Sequence, residues 1–102
     1  MEAVMFKTRK LRKRKYSVDK FVKNIHGEFA RLEYKKMGDA IALLYTEIPA
    51  KYRGKGHGTK MIREILDDLQ RVYKKIIPIC PFVEKFIDEN PQYHVMVERW
   101  EA

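Results

Sequence analysis

Apolar and polar residues alternate along residues 29–35, with Ala30, Leu32 and Tyr34 on one side and Arg31, Glu33 and Lys35 on the other. That period of two predicts a half-buried β-strand. A short run over residues 20–25, with Phe21 and Val22, predicts a strand before it, and His26-Gly27-Glu28 turns the chain between them. After a second tight turn at Gly38-Asp39, residues 40–48 are apolar on both faces through Leu44, as in a central strand covered on both sides. From residue 60 to 74 the period changes. Met61, Ile62, Ile65, Leu66, Leu69, Val72 and Tyr73 form one stripe of a helix, and Lys60, Arg63, Glu64, Asp67, Asp68, Arg71 and Lys74 form its charged face. The stripe is expected in the core and the charged face in solvent, with Lys60/Glu64, Arg63/Asp67 and Asp67/Arg71 at helical pairing distance.

Residues 75–79 read as a short buried strand, parallel to the 40–48 strand because a helical crossover joins them. Pro78 has no N–H, so the ladder should break there and the two strands diverge. A second, shorter helix is predicted over 82–89, with Phe82, Val83, Phe86 and Ile87 facing in and Asn90-Pro91 stopping it. Residues 94–97 read as a last strand, and Trp100 as an anchor for the tail. The fold class is α+β: antiparallel strands lead into a strand–loop–helix–strand unit, followed by the second short helix.

Length and composition narrow this picture. A chain of 102 residues with 45% apolar residues suits one folded core. No apolar run approaches the ~20 residues of a membrane-spanning helix, and no secretory signal is visible, so a soluble, intracellular protein, cytoplasmic or nuclear, is expected. The single cysteine, Cys80, excludes a disulfide within the chain, and no Cys/His cluster has the spacing of a metal site. Net charge is +8, and residues 1–19 hold seven Lys/Arg against two acids. Residues 1–19 are therefore expected to form a basic arm, exposed or mobile, and residues 20–102 the domain proper. The run at 7–15 is also a candidate address or contact for an acidic or nucleic-acid partner. Residues 1–6 could add an edge strand.

Candidate chemistry concentrates at Arg53-Gly54-Lys55-Gly56-His57-Gly58-Thr59, between the 40–48 strand and the helix. Glycines at alternate positions permit unusual φ angles and remove Cβ atoms that would hold a ligand off the backbone. The amides of the first helical turn lack helical partners, and the helix dipole makes that end electropositive. A phosphate would satisfy both, with Arg53, Lys55 and Lys60 adding charge. The spacing fits neither a mononucleotide P-loop nor the Gly-x-Gly-x-x-Gly dinucleotide fingerprint.

Read as Arg-x-x-Gly-x-Gly, with Arg53, Gly56 and Gly58 in the fixed places, the loop resembles the pyrophosphate loop of the GNAT superfamily of acetyl-CoA-dependent N-acetyltransferases. Thr46-Glu47-Ile48-Pro49, Ile79-Cys80-Pro81-Phe82 and Asn90-Pro91-Gln92-Tyr93 extend the resemblance to the small, single-domain form of that superfamily. The resemblance implies acetyl-CoA as cofactor. Its pyrophosphate would lie on the backbone from Arg53 through Gly54, Lys55, Gly56, His57 and Gly58 to Thr59, its pantetheine along Thr46 to Ile48, and its thioester near Cys80. One departure stands out: where relatives often carry Asp-x-x-His-Thr, this chain has Ala42-Leu43-Leu44-Tyr45-Thr46.

Acetylation of an amine requires a proton acceptor and a protonated thiol leaving group. Glu47 is the candidate base and should share a face with Tyr45, two positions back. Tyr45 is either the acid that protonates the thiolate or a buried aromatic of a central strand. Cys80 either accepts the acetyl group, lines the thioester site, or packs as a small apolar residue. The function expected is transfer of acetyl to a protein lysine or small amine. The alternatives are a non-catalytic coenzyme A-binding domain and a basic nucleic-acid-binding module.

Overall fold

The computed structural model describes residues 7–11 and 18–98. Five strands form one sheet in sequence order: β1 (Lys7–Leu11), β2 (Val18–Ile25), β3 (Glu28–Met37), β4 (Ala40–Glu47) and β5 (Lys75–Pro78). The first four pair antiparallel, and β5 runs parallel to β4 after the crossover through α1 (His57–Arg71). Helix α2 (Pro81–Glu89) and a 3-10 helix at Pro91–Met96 complete the described chain. No helix among the described residues is long and apolar enough to cross a membrane.

Both tight turns follow from their glycines. His26 and Gly27 have φ of 51° and 91°, the two positive angles of a type I′ hairpin, and the Gly27 amide donates to Asn24 Oδ1 at 2.7 Å. Gly38, at φ 62°, turns β3 into β4. β1 differs from expectation: residues 7–11 of the basic segment are an edge strand paired antiparallel with β2. The rest of the arm, residues 1–6 and 12–17, and the anchoring role of Trp100 lie outside the described residues.

One face of the sheet carries the main core. Ala30, Leu32 and Tyr34 of β3 and Ile41 and Leu43 of β4 meet Met61, Ile62, Ile65 and Leu66 of α1 and Val83, Phe86 and Ile87 of α2. The opposite face carries a smaller cluster of Ala40, Ala42 and Ile77, flanked by Met37 and Leu44. β4 is thus covered on both faces, as its apolar run predicts.

Three expectations for α1 and its surroundings are corrected. Val72 and Tyr73 are exposed because the helix stops at Arg71: the Lys74 and Tyr73 amides donate to Leu69 and Gln70 carbonyls, both at 3.0 Å, which is a Schellman cap. Asp68 is buried and bonded to Arg71 of the same helix, while Asp67 accepts from the Tyr93 hydroxyl at 2.6 Å and Glu64 pairs with Lys23 of β2, so two carboxylates of the "solvent" face hold other elements in place. The last strand is instead the 3-10 helix. Tyr93 and Met96, three apart, are buried while Val95 is 65% exposed, which is a period of three and not of two; Val97 alone bridges Ile76.

Tyr73 occupies the left-handed position of the cap at φ 60° with its side chain 92% exposed. A non-glycine residue there costs about 1 kcal/mol that the side chain does not recover by burial. Tyr73→Gly is expected to raise the unfolding free energy by about 1 kcal/mol in urea denaturation.

Candidate active site

The loop after β4 is held by backbone geometry. Pro49 opens a 3-10 turn, Ala50–Tyr52, closed by the Tyr52 amide on the Pro49 carbonyl at 2.8 Å. Gly54 and Gly56 follow with φ of 73° and 88°, and Gly56 caps α1 without any side-chain hydrogen bond. The first helical bond runs from the Lys60 amide to the Gly56 carbonyl at 3.0 Å. The amides of His57, Gly58 and Thr59 therefore have no helical acceptor, and no acidic residue sits in that first turn. Gly54, Gly56, Gly58 and Thr59 line an open depression of about 240 Å³, walled on its apolar side by Ile48, Tyr52 and Phe82.

The three glycines have two different reasons. At Gly54 and Gly56 the positive φ demands glycine, and a Cβ would meet only open space. At Gly58 the backbone is helical, but a Cβ would stand 3.0 and 3.1 Å from two atoms of the Phe82 ring. Phe82, expected among the inward-facing residues of α2, is instead 40% exposed and forms a wall of the loop. A glycine inside a helix's first turn, with no turn to explain it, was the available signal of this close approach.

Positive charge at the loop is partly committed. Arg53 donates from Nε to the Ile48 carbonyl and from Nη2 to Glu47 Oε2, both at 2.9 Å, so its guanidinium braces the loop against the end of β4. Lys55 and Lys60 are exposed. His57 packs edge-on to Tyr52, with ring centroids 5.3 Å apart, leaving its backbone amide at the helix start.

β4 changes parity on its way to this loop. Glu33 pairs with Tyr45 and Tyr34 with Leu43, so Leu44 is an extra residue with no partner on β3. Before this bulge the odd residues Ile41 and Leu43 face the helices; beyond it Ile48 does, and Thr46 Oγ1 lies 3.3 Å from Cys80 Sγ. Tyr45 and Glu47 consequently point to the helix-free face, where Arg31 of β3 lies 5.6 Å over the Tyr45 ring. The bulge sits at the point where β5 leaves. Ladder pairing ends at Leu43 with Pro78, and the Leu43 carbonyl accepts the amides of Ile79 at 3.0 Å and Cys80 at 2.8 Å. Residues 44–47 then have β3 on one side and, among the described residues, no strand on the other, the divergence that Pro78 predicts.

Among the candidate chemical groups, Tyr45 and Glu47 do share a face. The Tyr45 hydroxyl donates to Glu47 Oε1, and Tyr45 is 47% exposed, which corrects the buried-aromatic alternative. This hydrogen bond, with Arg53 behind it, holds the Glu47 carboxyl below the usual glutamate range. The same bond and the carboxylate's charge raise the Tyr45 phenol. Cys80 lies elsewhere. It is 3% exposed in the main core at the start of α2, and its thiol contacts Thr46 through the strand from Tyr45 and Glu47. Free exchange with solvent or an acceptor is closed to it in this conformation, so of its expected roles, lining and packing match its surroundings best.

A mixed sheet whose fourth strand bulges, parts from the fifth and enters a helix through a glycine loop defines a GNAT-like α+β fold. The chain belongs to the GCN5-related N-acetyl-transferase family, whose model matches residues 20–96 of its 102 residues. Among curated proteins none matches it.

Proposed function

We propose that the chain is an acetyl-CoA-dependent N-acetyltransferase whose acceptor is a primary amine. One observation carries this: the amides of His57, Gly58 and Thr59 have no helical acceptor, the depression beside them is lined by Gly54, Gly56, Gly58 and Thr59, and residues 44–47 of β4, just before that loop, have an edge with no strand paired to it among the described residues. A donor set made of backbone N–H groups at a helix N-terminus, with no carboxylate in that turn, fits a pyrophosphate. The exposed edge at residues 44–47 fits the amide-bearing arm of coenzyme A, by the same hydrogen bonding that would add a strand. Acetyl-CoA, when bound, supplies an acetyl group activated as a thioester.

The chain's own residues supply orientation and proton movement. Arg53 ties the loop to Glu47, so the phosphate cradle and the carboxylate move as one unit. Glu47, ionised across the neutral range, is the group to accept a proton from the incoming amine. Its lowered pKa makes it a weak base, and Tyr45 occupies one of its oxygens. That occupancy favours one second reading, a coenzyme A-binding domain without transfer activity.

Calorimetric titration with acetyl-CoA and with acetyl-pantetheine, which lacks the pyrophosphate, tests the proposal. Acetyl-CoA is expected to bind at least about tenfold more tightly, since charge-assisted bonds to the loop are worth roughly 1.5–3 kcal/mol each. Equal affinities, or no binding by the folded protein, would overturn it. Binding without acetyl transfer to any amine would select the second reading.

A further inference from the structure

At the outer edge of β5, lined also by Met37 of β3 and Glu84 of α2, lies a second depression of about 260 Å³ that the proposed chemistry does not use. Its floor is apolar, from Ile77, Pro78, Ile79 and Val97, and Glu84 and Glu98 stand at its rim. An adjoining hollow of about 230 Å³ shares Pro78, Glu84 and Val97 and adds Asp88 and His94. Among the described residues, no Lys or Arg lines either hollow, and neither Glu84 nor Glu98 has a hydrogen bond or ion pair from its carboxylate. The position matters equally. Ile79 is the residue at which β5 has left β4, and Tyr45 and Glu47 point to the same side of the sheet as Ile77.

From this charge complementarity and position we infer that the groove at the outer edge of β5 docks the acceptor, and that the acceptor is a basic, lysine-bearing peptide segment. The inference rests on the proposed transferase reading. An apolar floor accepts the methylene stem of lysine while the rim carboxylates attract ammonium groups still in water. Such exposed charges act mainly through steering and register, so the interaction should be weak and sensitive to salt. A small neutral amine would gain nothing from the groove.

The test follows amide NMR shifts of the full chain during addition of a capped Ala-Lys-Ala-Lys-Ala peptide, beside the same peptide with both lysines acetylated. Shifts are expected at Ile77, Ile79, Glu84, Val97 and Glu98. The acetylated peptide should bind about tenfold more weakly, as should the Glu84→Lys/Glu98→Lys variant toward the parent peptide. Because neither glutamate lines the glycine-loop depression, acetyl-CoA affinity of that variant should equal the parent's. Shifts located elsewhere, or equal binding of the acetylated peptide, would overturn the groove while leaving the transferase reading standing. Loss of acetyl-CoA binding by the unmodified protein would sink that reading instead, whatever the peptide does.

Discussion

Gly58→Ala is expected to destabilise the protein by about 1 kcal/mol, and the same substitution is expected to stabilise it by about 1 kcal/mol once Phe82 is replaced by alanine. The reversal follows from two opposed effects at one position. Gly58 lies in the first turn of α1 with ordinary helical backbone, where alanine is favoured over glycine by roughly 0.8–1 kcal/mol. Against that, the new Cβ would stand 3.0 Å from the Phe82 ring and 3.5 Å from Ile48 Cγ1. Forcing a methyl into such a contact costs typically 1–3 kcal/mol. Because Phe82 is partly exposed, its ring can also swing outward, and the loop depression would then lose its wall. Urea unfolding of the four proteins of this cycle gives the coupling directly, with about 2 kcal/mol expected. Acetyl-CoA titration of the same set should show Gly58→Ala weakened even where stability is restored. If the two substitutions are additive, the ring is not what excludes a side chain at position 58, and the glycine would have to be explained by the ligand alone.

That pair also marks where the sequence could be read and where it could not. Local rules sufficed for β3, whose alternation follows Ala30, Leu32 and Tyr34 into the core, and for both hairpins, whose glycines take the positive φ that tight turns need. They sufficed for the order strand, glycine loop, helix, and for the parting of β4 and β5 at Pro78. They failed wherever a tertiary contact overrode a period. Val72 and Tyr73 continue the apolar stripe of α1, yet the cap at Tyr73 ends the helix first. Asp67 and Asp68 look solvated on a helical wheel, but one receives Tyr93 from the 3-10 helix and the other is buried beside Arg71.

The bulge at Leu44 is the clearest case. A strict period of two would set Tyr45 and Glu47 on the side of Leu43, facing the helices and Cys80. One unpaired residue turns Thr46 toward Cys80, and Tyr45 with Glu47 toward the helix-free face. Nothing in Ala42-Leu43-Leu44-Tyr45 announces it, since a bulge without glycine leaves no compositional trace. Its consequence is chemical. Glu47, the candidate base, and Cys80, whose roles the sequence left open, stand on opposite sides of β4, and a mechanism using both at once is not available to this conformation.

Thr59→Glu should separate the stability of the loop from its capacity to bind an anion. Thr59 is the third residue of α1, exposed, and lines the 240 Å³ depression. A carboxylate at that position faces the helix N-terminus, where negative charge is worth roughly 0.3–1 kcal/mol, and it can reach back to the cap amide as in a capping box. The fold should therefore become more stable, by about 0.5 kcal/mol. The pyrophosphate would meet the same carboxylate within about 5 Å, a repulsion of around 3 kcal/mol per charge pair at the effective dielectric of a protein surface. Acetyl-CoA affinity is expected to fall about a hundredfold or more at low salt, with part of the loss returning at high ionic strength as the charges are screened. Thr59→Gln, equal in shape and neutral, should retain most of the parent's affinity. Opposite movements of melting temperature and affinity in one variant cannot be produced by misfolding. If Thr59→Glu binds acetyl-CoA as tightly as the parent, the amides of His57, Gly58 and Thr59 are not the phosphate cradle, and the coenzyme must be sought away from the glycine loop.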